Sequence, residues 1–211
     1  MSGIVGQNTL GGSGLVKSPE GGGAWNFIKN ITITSDTATA SFVNGTSDVV
    51  LDSTYKTYVF TITNYQSAGN GDTLSVNFST DTGSNYNATK TTSLFRAKHG
   101  EDDSPAEVAY DARSQDLYES TDIVRLNENG GNGSDESVSG FLWLFDPSNT
   151  TFLKHFWARV SSYNKDDNQE DIFTHGYCNT TDAVDAVQFG SSVGFTNIGA
   201  CEISLYGISN S

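Results

Sequence analysis

The stretch Phe78-Ser79-Thr80-Asp81-Thr82-Gly83-Ser84-Asn85-Tyr86 shows an apolar strand that runs directly into a turn. Val76 and Phe78 stand two residues apart, so both side chains project from one face of a β-strand. Asp81 then supplies a side-chain acceptor, and Gly83 tolerates the positive φ that a tight turn needs. We therefore predict a β-hairpin here, and the recurrence of this pattern predicts an all-β protein.

Apolar residues alternate in several other segments of the chain. The clearest sets are Tyr58, Phe60 and Ile62; Leu74, Val76 and Phe78; Ile203 and Leu205; and, as a half-buried first strand, Trp25, Phe27, Ile31 and Ile33. Residues 141–145 are all apolar, so apolar side chains would project from both faces of a strand. We therefore expect a central strand covered on both faces. In total we expect roughly ten to twelve short antiparallel strands in a β-sandwich or jelly roll. Residues 106–120 could contain a helical turn.

The first 24 residues differ from the rest, because glycine-rich spacers separate small apolar clusters. Such a segment cannot bury a core of its own, so we predict two units: an arm, 1–24, and a β-domain, 25–211. The arm is either a disordered tail or a segment that docks on a partner subunit. Its candidate docking residues are Ile4, Val5, Leu10, Leu15 and Val16.

The charge is strongly one-sided, with 25 acidic and 11 basic residues and a formal net charge of -14. Lysine and arginine are scattered singly, so we expect no nucleic-acid partner. No apolar run is long enough for a membrane span, and no cationic start with an apolar segment marks a secretory signal, so synthesis in a cytoplasm is expected. The two cysteines, Cys178 and Cys201, are predicted to be buried, inert thiols.

The opening stretch also matches the Asp-box pattern of sialidase-like propellers, S-x-D-x-G-x-x-aromatic. The pattern occurs once, and the arginines that such an enzyme would need are far apart in the sequence: Arg96, Arg113, Arg125 and Arg159. We therefore interpret Asp81 as a turn residue. No serine stands in a nucleophile motif, and a glycosidase pair of carboxylates cannot be identified from sequence, so we predict no catalytic residues and no enzyme.

Two oxygen-rich segments, 127–136 and 165–171, could hold a structural Ca²⁺ or could be solvated acidic loops. Neither has EF-hand spacing, so we expect no required cofactor. The three histidines are isolated and do not suggest a transition-metal site; we expect His155 to be a structural imidazole. Sandwich modules can also stack sugar rings on exposed aromatics. The candidate glycan contacts, which could equally anchor their loops, are Tyr65, Tyr86, Tyr118 and Tyr163.

Segments distributed over most of the chain resemble a family of virion proteins of tailed bacteriophages, particularly marine podovirus-like ones. They are residues 3–7, 13–17, 25–28, 52–60, 78–84, 139–140, 146–150, 154–156, 183–189 and 205–208. The resemblance implies a non-enzymatic, β-rich structural protein on the outside of a virus particle. The acidic region 98–116 has no clear counterpart in that family and is interpreted as a surface elaboration.

A single domain behind a short arm favours a capsid decoration or head-fibre protein over a tail fibre, which would show a shaft. The alternative is a carbohydrate-recognising receptor-binding module at a tail or fibre tip, and the third is a polysaccharide hydrolase. The expected location is the virion surface, after synthesis in the host cytoplasm. Expected partners are other virion proteins of the capsid or tail, copies of the same chain, such as a trimer, and a host surface glycan, with no membrane.

Overall fold

Alternating apolar side chains place a shared core between two antiparallel sheets. A computed structural model describes residues 24–110, 116–191 and 197–209. The strands within these ranges are β1 Trp25–Ile33, β2 Thr39–Val43, β3 Thr57–Ser67, β4 Leu74–Ser79, β5 Lys90–Gly100, β6 Ala106–Tyr110, β7 Val124–Arg125, β8 Val138–Phe145, β9 Lys154–Tyr163, β10 Asn168–Cys178, β11 Ala186–Ser191 and β12 Ile198–Ile208.

The larger sheet has eight strands in the order β1-β12-β3-β8-β9-β10-β5-β6, and the smaller has four in the order β2-β11-β4-β7. Every pairing between these strands is antiparallel. The predicted all-β sandwich of ten to twelve strands is therefore confirmed.

Aromatic rings join the two sheets at the centre of the core. The ring centroid of Phe60 on β3 lies 5.2 Å from that of Phe42 on β2 and 5.4 Å from that of Phe189 on β11. All three side chains are fully buried. Such edge-on and tilted pairs add to the hydrophobic gain from burial, and here they fix one sheet against the other. The alternation of Tyr58, Phe60 and Ile62 thus places Phe60 in the core, as predicted.

The first strand changes face part-way along its length. A register shift lies between Phe27 and Lys29 in the pairing of β1 with β12. Trp25 is consequently 45% exposed and Phe27 61% exposed, whereas Ile33 is only 6% exposed. The prediction that these residues share one face was wrong, because a bulge inverts the alternation that sequence spacing assumes.

The central strand β8 also differs from its prediction. It occupies the fourth position of the eight-stranded sheet, and Leu142 and Leu144 are fully buried on the inner face. Phe141, Trp143 and Phe145, which alternate with them, are only partly buried. The second sheet covers one face of β8, whereas we expected cover on both.

The turn after Phe78 does not close a hairpin. Strand β4 pairs with β11 and β7 in the smaller sheet, whereas β5, the next strand in sequence, belongs to the larger sheet. The segment 80–89 is therefore a crossing between sheets. In residues 106–110, where a helical turn was considered, the chain forms the edge strand β6, and residues 111–115 lie outside the described part.

Adjacent residues on β9 provide a test of the two faces. Phe156→Ala should reduce the free energy of unfolding by about 3–5 kcal/mol, because it opens a cavity beside Phe78 in the core. Trp157→Ala should reduce it by clearly less, because that ring lies on the outer face and is only partly buried. Urea denaturation of both variants measures the difference, and equal losses would contradict the assignment of faces.

Candidate functional site

The outer face of the eight-stranded sheet, opposite the core, has an unusually high content of aromatic rings. We call it the aromatic face, and define it by Trp25, Phe27, Phe95, Phe141, Trp143, Phe145, His155, Trp157, Phe173, His175, Tyr177 and Tyr206. Monomeric proteins rarely expose contiguous apolar patches of this kind unless the patch binds something.

Strand register places these side chains in rows that cross the sheet. One row, given by direct pairing partners, contains Phe27, Tyr206, Val59, Trp143, Trp157, His175 and Ser93. The next row contains Asn30, Ser204, Thr61, Phe141, Arg159, Phe173, Phe95 and Tyr110. Facing residues in an antiparallel sheet are close enough for their side chains to touch, so the register brings rings from neighbouring strands into contact.

The centre of the aromatic face is a pair of parallel indoles. The rings of Trp143 and Trp157 stack with centroids 5.8 Å apart and an interplanar angle of 5°. Trp25 meets Trp143 edge-on at 5.7 Å, and Phe141 meets Trp157 edge-on at 5.5 Å. Rings on both sides therefore restrict the rotation of the pair, which makes a preformed platform.

A second cluster lies toward the β6 edge of the sheet. Phe95 and Phe173 stack with centroids 4.7 Å apart at 9°. The guanidinium carbon of Arg159 lies 4.6 Å from the centre of the Phe173 ring, in a cation–π contact. Arg159 also donates from Nε and Nη2 to the two carboxylate oxygens of Asp171, at 2.9 and 2.6 Å. The Arg159 head group is thereby held in one orientation.

Two shallow depressions flank the indole pair. One, of about 410 Å³, is formed by Thr91, Thr92, Ser93, Phe145, His155, Phe156, Trp157, His175, Gly176 and Tyr177. The other, of about 350 Å³, is formed by Ser139, Gly140, Phe141, Arg159, Ser161, Gln169 and Asp171. Each combines aromatic rings with hydroxyl, imidazole, amide or charged groups. Apolar walls with a few convergent polar groups are typical of small-molecule sites.

The four tyrosines named from sequence do not form this site. Tyr65 is 1% exposed, and burial raises its pKa to about 12, so the proposal that it contacts a glycan is corrected. Tyr118 is 84% exposed and Tyr86 is partly buried beside the Asp81 turn. Tyr163 ends β9 with its hydroxyl 3.1 Å from Asp167 Oδ1. Three of the four lie off the aromatic face, and Tyr163 lies at its margin.

Sequence reasoning missed the aromatic face because its members come from six strands. The alternating aromatics of 141–145 were the available signal, but they were interpreted as a strand buried on both sides. His155, expected to be structural, is exposed on β9 with its ring 5.9 Å from that of Tyr177. The arm residues named from sequence, in 1–23, lie outside the described residues.

The two oxygen-rich loops lie side by side. The backbone N–H of Lys165 donates to Asn129 O at 3.0 Å, and the Asn129 side-chain amide donates to Asp166 Oδ2 at 3.1 Å. The Lys165 ammonium pairs with Asp166 Oδ1 at 2.8 Å, which supplies a positive charge where a cation would bind. Among the described residues, no three His, Cys, Asp or Glu side chains are grouped to hold a metal.

Glu170 and the two cysteines are buried away from the aromatic face. Glu170 is fully buried, and Arg96 and Lys98 lie 4.0 and 3.8 Å from its Oε1, while burial raises the pKa of the Glu170 carboxyl. Both cysteines are free and buried, as predicted, and burial raises the pKa of each thiol to about 12. These thiols are therefore poor nucleophiles.

The Asp-box turn is held by its own side chains. Asp81 Oδ1 accepts hydrogen bonds from the Asn85 backbone at 2.8 Å and the Ser79 hydroxyl at 2.7 Å, and Oδ2 accepts from the Asn85 amide at 2.7 Å. Gly83 adopts φ +76°, which glycine tolerates best. Arg96 is buried on the inner side of β5, whereas Arg159 is on the outer face, and Arg113 lies outside the described residues. The structure thus gives Asp81 the role of a turn residue.

Comparison with known proteins gives no relative: no family model, curated protein or solved structure matches the chain. The part of the chain that the structure describes contains no helix with the length and hydrophobicity of a transmembrane span.

The Asp81 turn predicts a specific dependence on pH. Hydrogen bonds from Asn85 and Ser79 lower the pKa of Asp81 from its ordinary 3.8, so its stabilising effect is present above that pH and lost as the pH falls through the lowered pKa. Asp81→Asn should therefore unfold at lower urea than the unmodified protein at neutral pH, with the difference shrinking in acid. Asp36→Asn, at an exposed position between β1 and β2, is the control. An Asp81 difference that is constant with pH would refute this account.

Proposed function

We propose that the chain is a non-enzymatic recognition module of a virion surface, which binds a neutral host-surface carbohydrate on its aromatic face. The virion location is supported by the sequence resemblance to phage structural proteins. The carbohydrate site is supported by one observation above all, the preformed stack of Trp143 and Trp157 between two shallow depressions that each combine apolar walls with a few polar groups.

Sugar rings fit this geometry because they have two kinds of surface. Their axial C–H groups pack against the electron-rich face of an aromatic ring, while their hydroxyls require hydrogen-bond partners at the rim. On this sheet His155 and His175 lie beside Trp157 on one side, and Arg159 and Asp171 lie on the other. An open sheet face with spaced rings suits an extended oligosaccharide better than a single sugar enclosed in a pocket.

The net charge of the chain favours a neutral sugar over an acidic one. A formal net charge of -14 produces a field that repels polyanions, including sialylated or uronate-rich polymers. On the site itself the Arg159 charge is compensated by Asp171 at 2.6 Å. A neutral glycan therefore fits the electrostatics best.

The polar groups also favour a ligand site over a subunit interface. Obligate interfaces resemble a domain core and are depleted in charge at their centre. Here Arg159 is about half exposed beside Phe173, and His155 and His175 are exposed next to the indole pair. The competing occupant of this face is a second copy of the chain, which would make the protein an oligomer.

Trp157→Ala should weaken binding of a neutral oligosaccharide, identified on a glycan array, by tenfold or more, as expected for loss of a central aromatic anchor, about 2 kcal/mol. Tyr118→Ala is the matched control, because Tyr118 is 84% exposed and lies outside the aromatic face. Titration calorimetry measures both affinities.

Two results would overturn the carbohydrate site. One is equal affinity of the Trp157 and Tyr118 variants for the glycan. The other is an oligomer that dissociates on Trp157→Ala in sedimentation while no array glycan binds, which would assign the aromatic face to a second copy of the chain.

Capsid decoration through the arm is a second candidate role. The observation that favours it is the entry of the chain at β1, an edge strand of the larger sheet, so an arm would join the sandwich at its margin. Deletion of residues 1–23 should then abolish incorporation into particles while the isolated domain retains its fold and glycan affinity. Normal incorporation of the shortened protein would refute docking through the arm.

A further inference from the structure

A lysine and an asparagine from different sheets meet in the interior of the sandwich. Lys90, the first residue of β5, is 0% exposed, and Asn77 of β4 is 3% exposed. The Lys90 Nζ atom lies 2.6 Å from Asn77 Oδ1. A buried amine thus contacts the side-chain carbonyl oxygen of an amide.

Both polar atoms of the Asn77 side-chain amide form hydrogen bonds that fix its orientation. Its Nδ2 donates to the backbone oxygens of Tyr86 at 2.6 Å and Thr121 at 3.2 Å. Its Oδ1 accepts from the backbone N–H of Phe78 at 2.9 Å. A backbone N–H at this position would stabilise negative charge developing on Oδ1 if a nucleophile added to the carbonyl carbon.

The Lys90 amine is also held by several hydrogen bonds. Besides Asn77, Lys90 Nζ contacts the backbone oxygens of Ala88 at 2.6 Å and Thr121 at 3.4 Å. The backbone oxygen of Thr121 therefore accepts from both Lys90 Nζ and Asn77 Nδ2, so the two side-chain nitrogens contact the same oxygen atom. None of the described carboxylates forms an ion pair with Lys90.

Burial also favours the reactive form of the amine. Burial lowers the pKa of Lys90 from 10.5 to about 8, although the negative charge of Asp122 opposes this shift. Burial therefore makes the neutral, nucleophilic form of Lys90 more accessible than it is for an exposed lysine.

We propose that Lys90 and Asn77 join in an intramolecular isopeptide bond between the two sheets. The Nζ lone pair forms a bond to Asn77 Cγ, and the carbonyl electrons move to Oδ1. One proton passes from Nζ to Nδ2. As the carbonyl re-forms, the Cγ–Nδ2 bond breaks with its electron pair and ammonia leaves, so the reaction needs no oxidant or external reagent.

Such a bond would close the crossing segment between β4 and β5 into a covalent ring. It would stabilise the sandwich as a disulfide does, by restricting the unfolded chain. Cys178 and Cys201 are both free thiols, so the bond would supply the covalent link that they do not.

Intact-mass spectrometry of the purified full chain tests the proposal. The unmodified protein should be lighter than its sequence mass by one ammonia, whereas Lys90→Arg and Asn77→Ala should each have their full sequence mass. Lys154→Arg is the matched control and should retain the loss. Lys154 is also fully buried, but its Nζ donates to the backbone oxygens of Phe152 and Thr180, at 3.0 and 3.3 Å, and not to an amide side chain.

Peptide mapping locates the bond. Cleavage before aspartate gives the peptides 72–80 and 81–101, which contain Asn77 and Lys90 respectively. We expect these two peptides to stay joined in the unmodified protein and in Lys154→Arg, and to separate in both test variants. Folded unmodified protein with its full sequence mass would overturn the proposal. So would an ammonia loss with separated peptides, which would indicate a succinimide at an Asn-Gly pair such as Asn44-Gly45.

Discussion

The second sheet covers only one face of the eight-stranded sheet, and most other features follow from this constraint. Side chains alternate between the two faces, so each strand that contributes Leu142 or Phe156 to the core must place its neighbours outside. Those outside neighbours are aromatic in the central strands. The residues that define the candidate site are thus spaced by the same alternation that builds the core.

The spacing of Phe60, Val76 and Leu205 was sufficient to predict inward-facing strands, because alternation is a local property of the chain. The face of Trp25 was predicted wrongly, because the bulge after Phe27 depends on pairing with β12, the last strand. The aromatic face was missed for a related reason. Trp143 and Trp157 belong to different strands, and only register reveals that they are direct partners.

The Asn77 and Lys90 pair shows a further limit of sequence reasoning. A lysine at the start of a strand usually reaches solvent, and its sequence neighbours are threonines that predict no burial. It is buried because the segment 80–89 and Thr121 bring backbone oxygens to its ammonium. Asp81, by contrast, was interpreted correctly as a turn residue, since the hydrogen bonds of its carboxylate join residues four apart or fewer, although the turn leads into a crossing between sheets and not a hairpin.

The parallel stack of Trp143 and Trp157 has an optical consequence. Two indoles held at a fixed distance and angle couple their electronic transitions, so the pair should have a near-ultraviolet spectrum that differs from that of two separate tryptophans. Trp25, the remaining tryptophan of the chain, meets Trp143 edge-on and extends this coupled group. The protein therefore has a built-in chromophore at the centre of its aromatic face, and occupancy of that face can be followed by light absorption without any attached label.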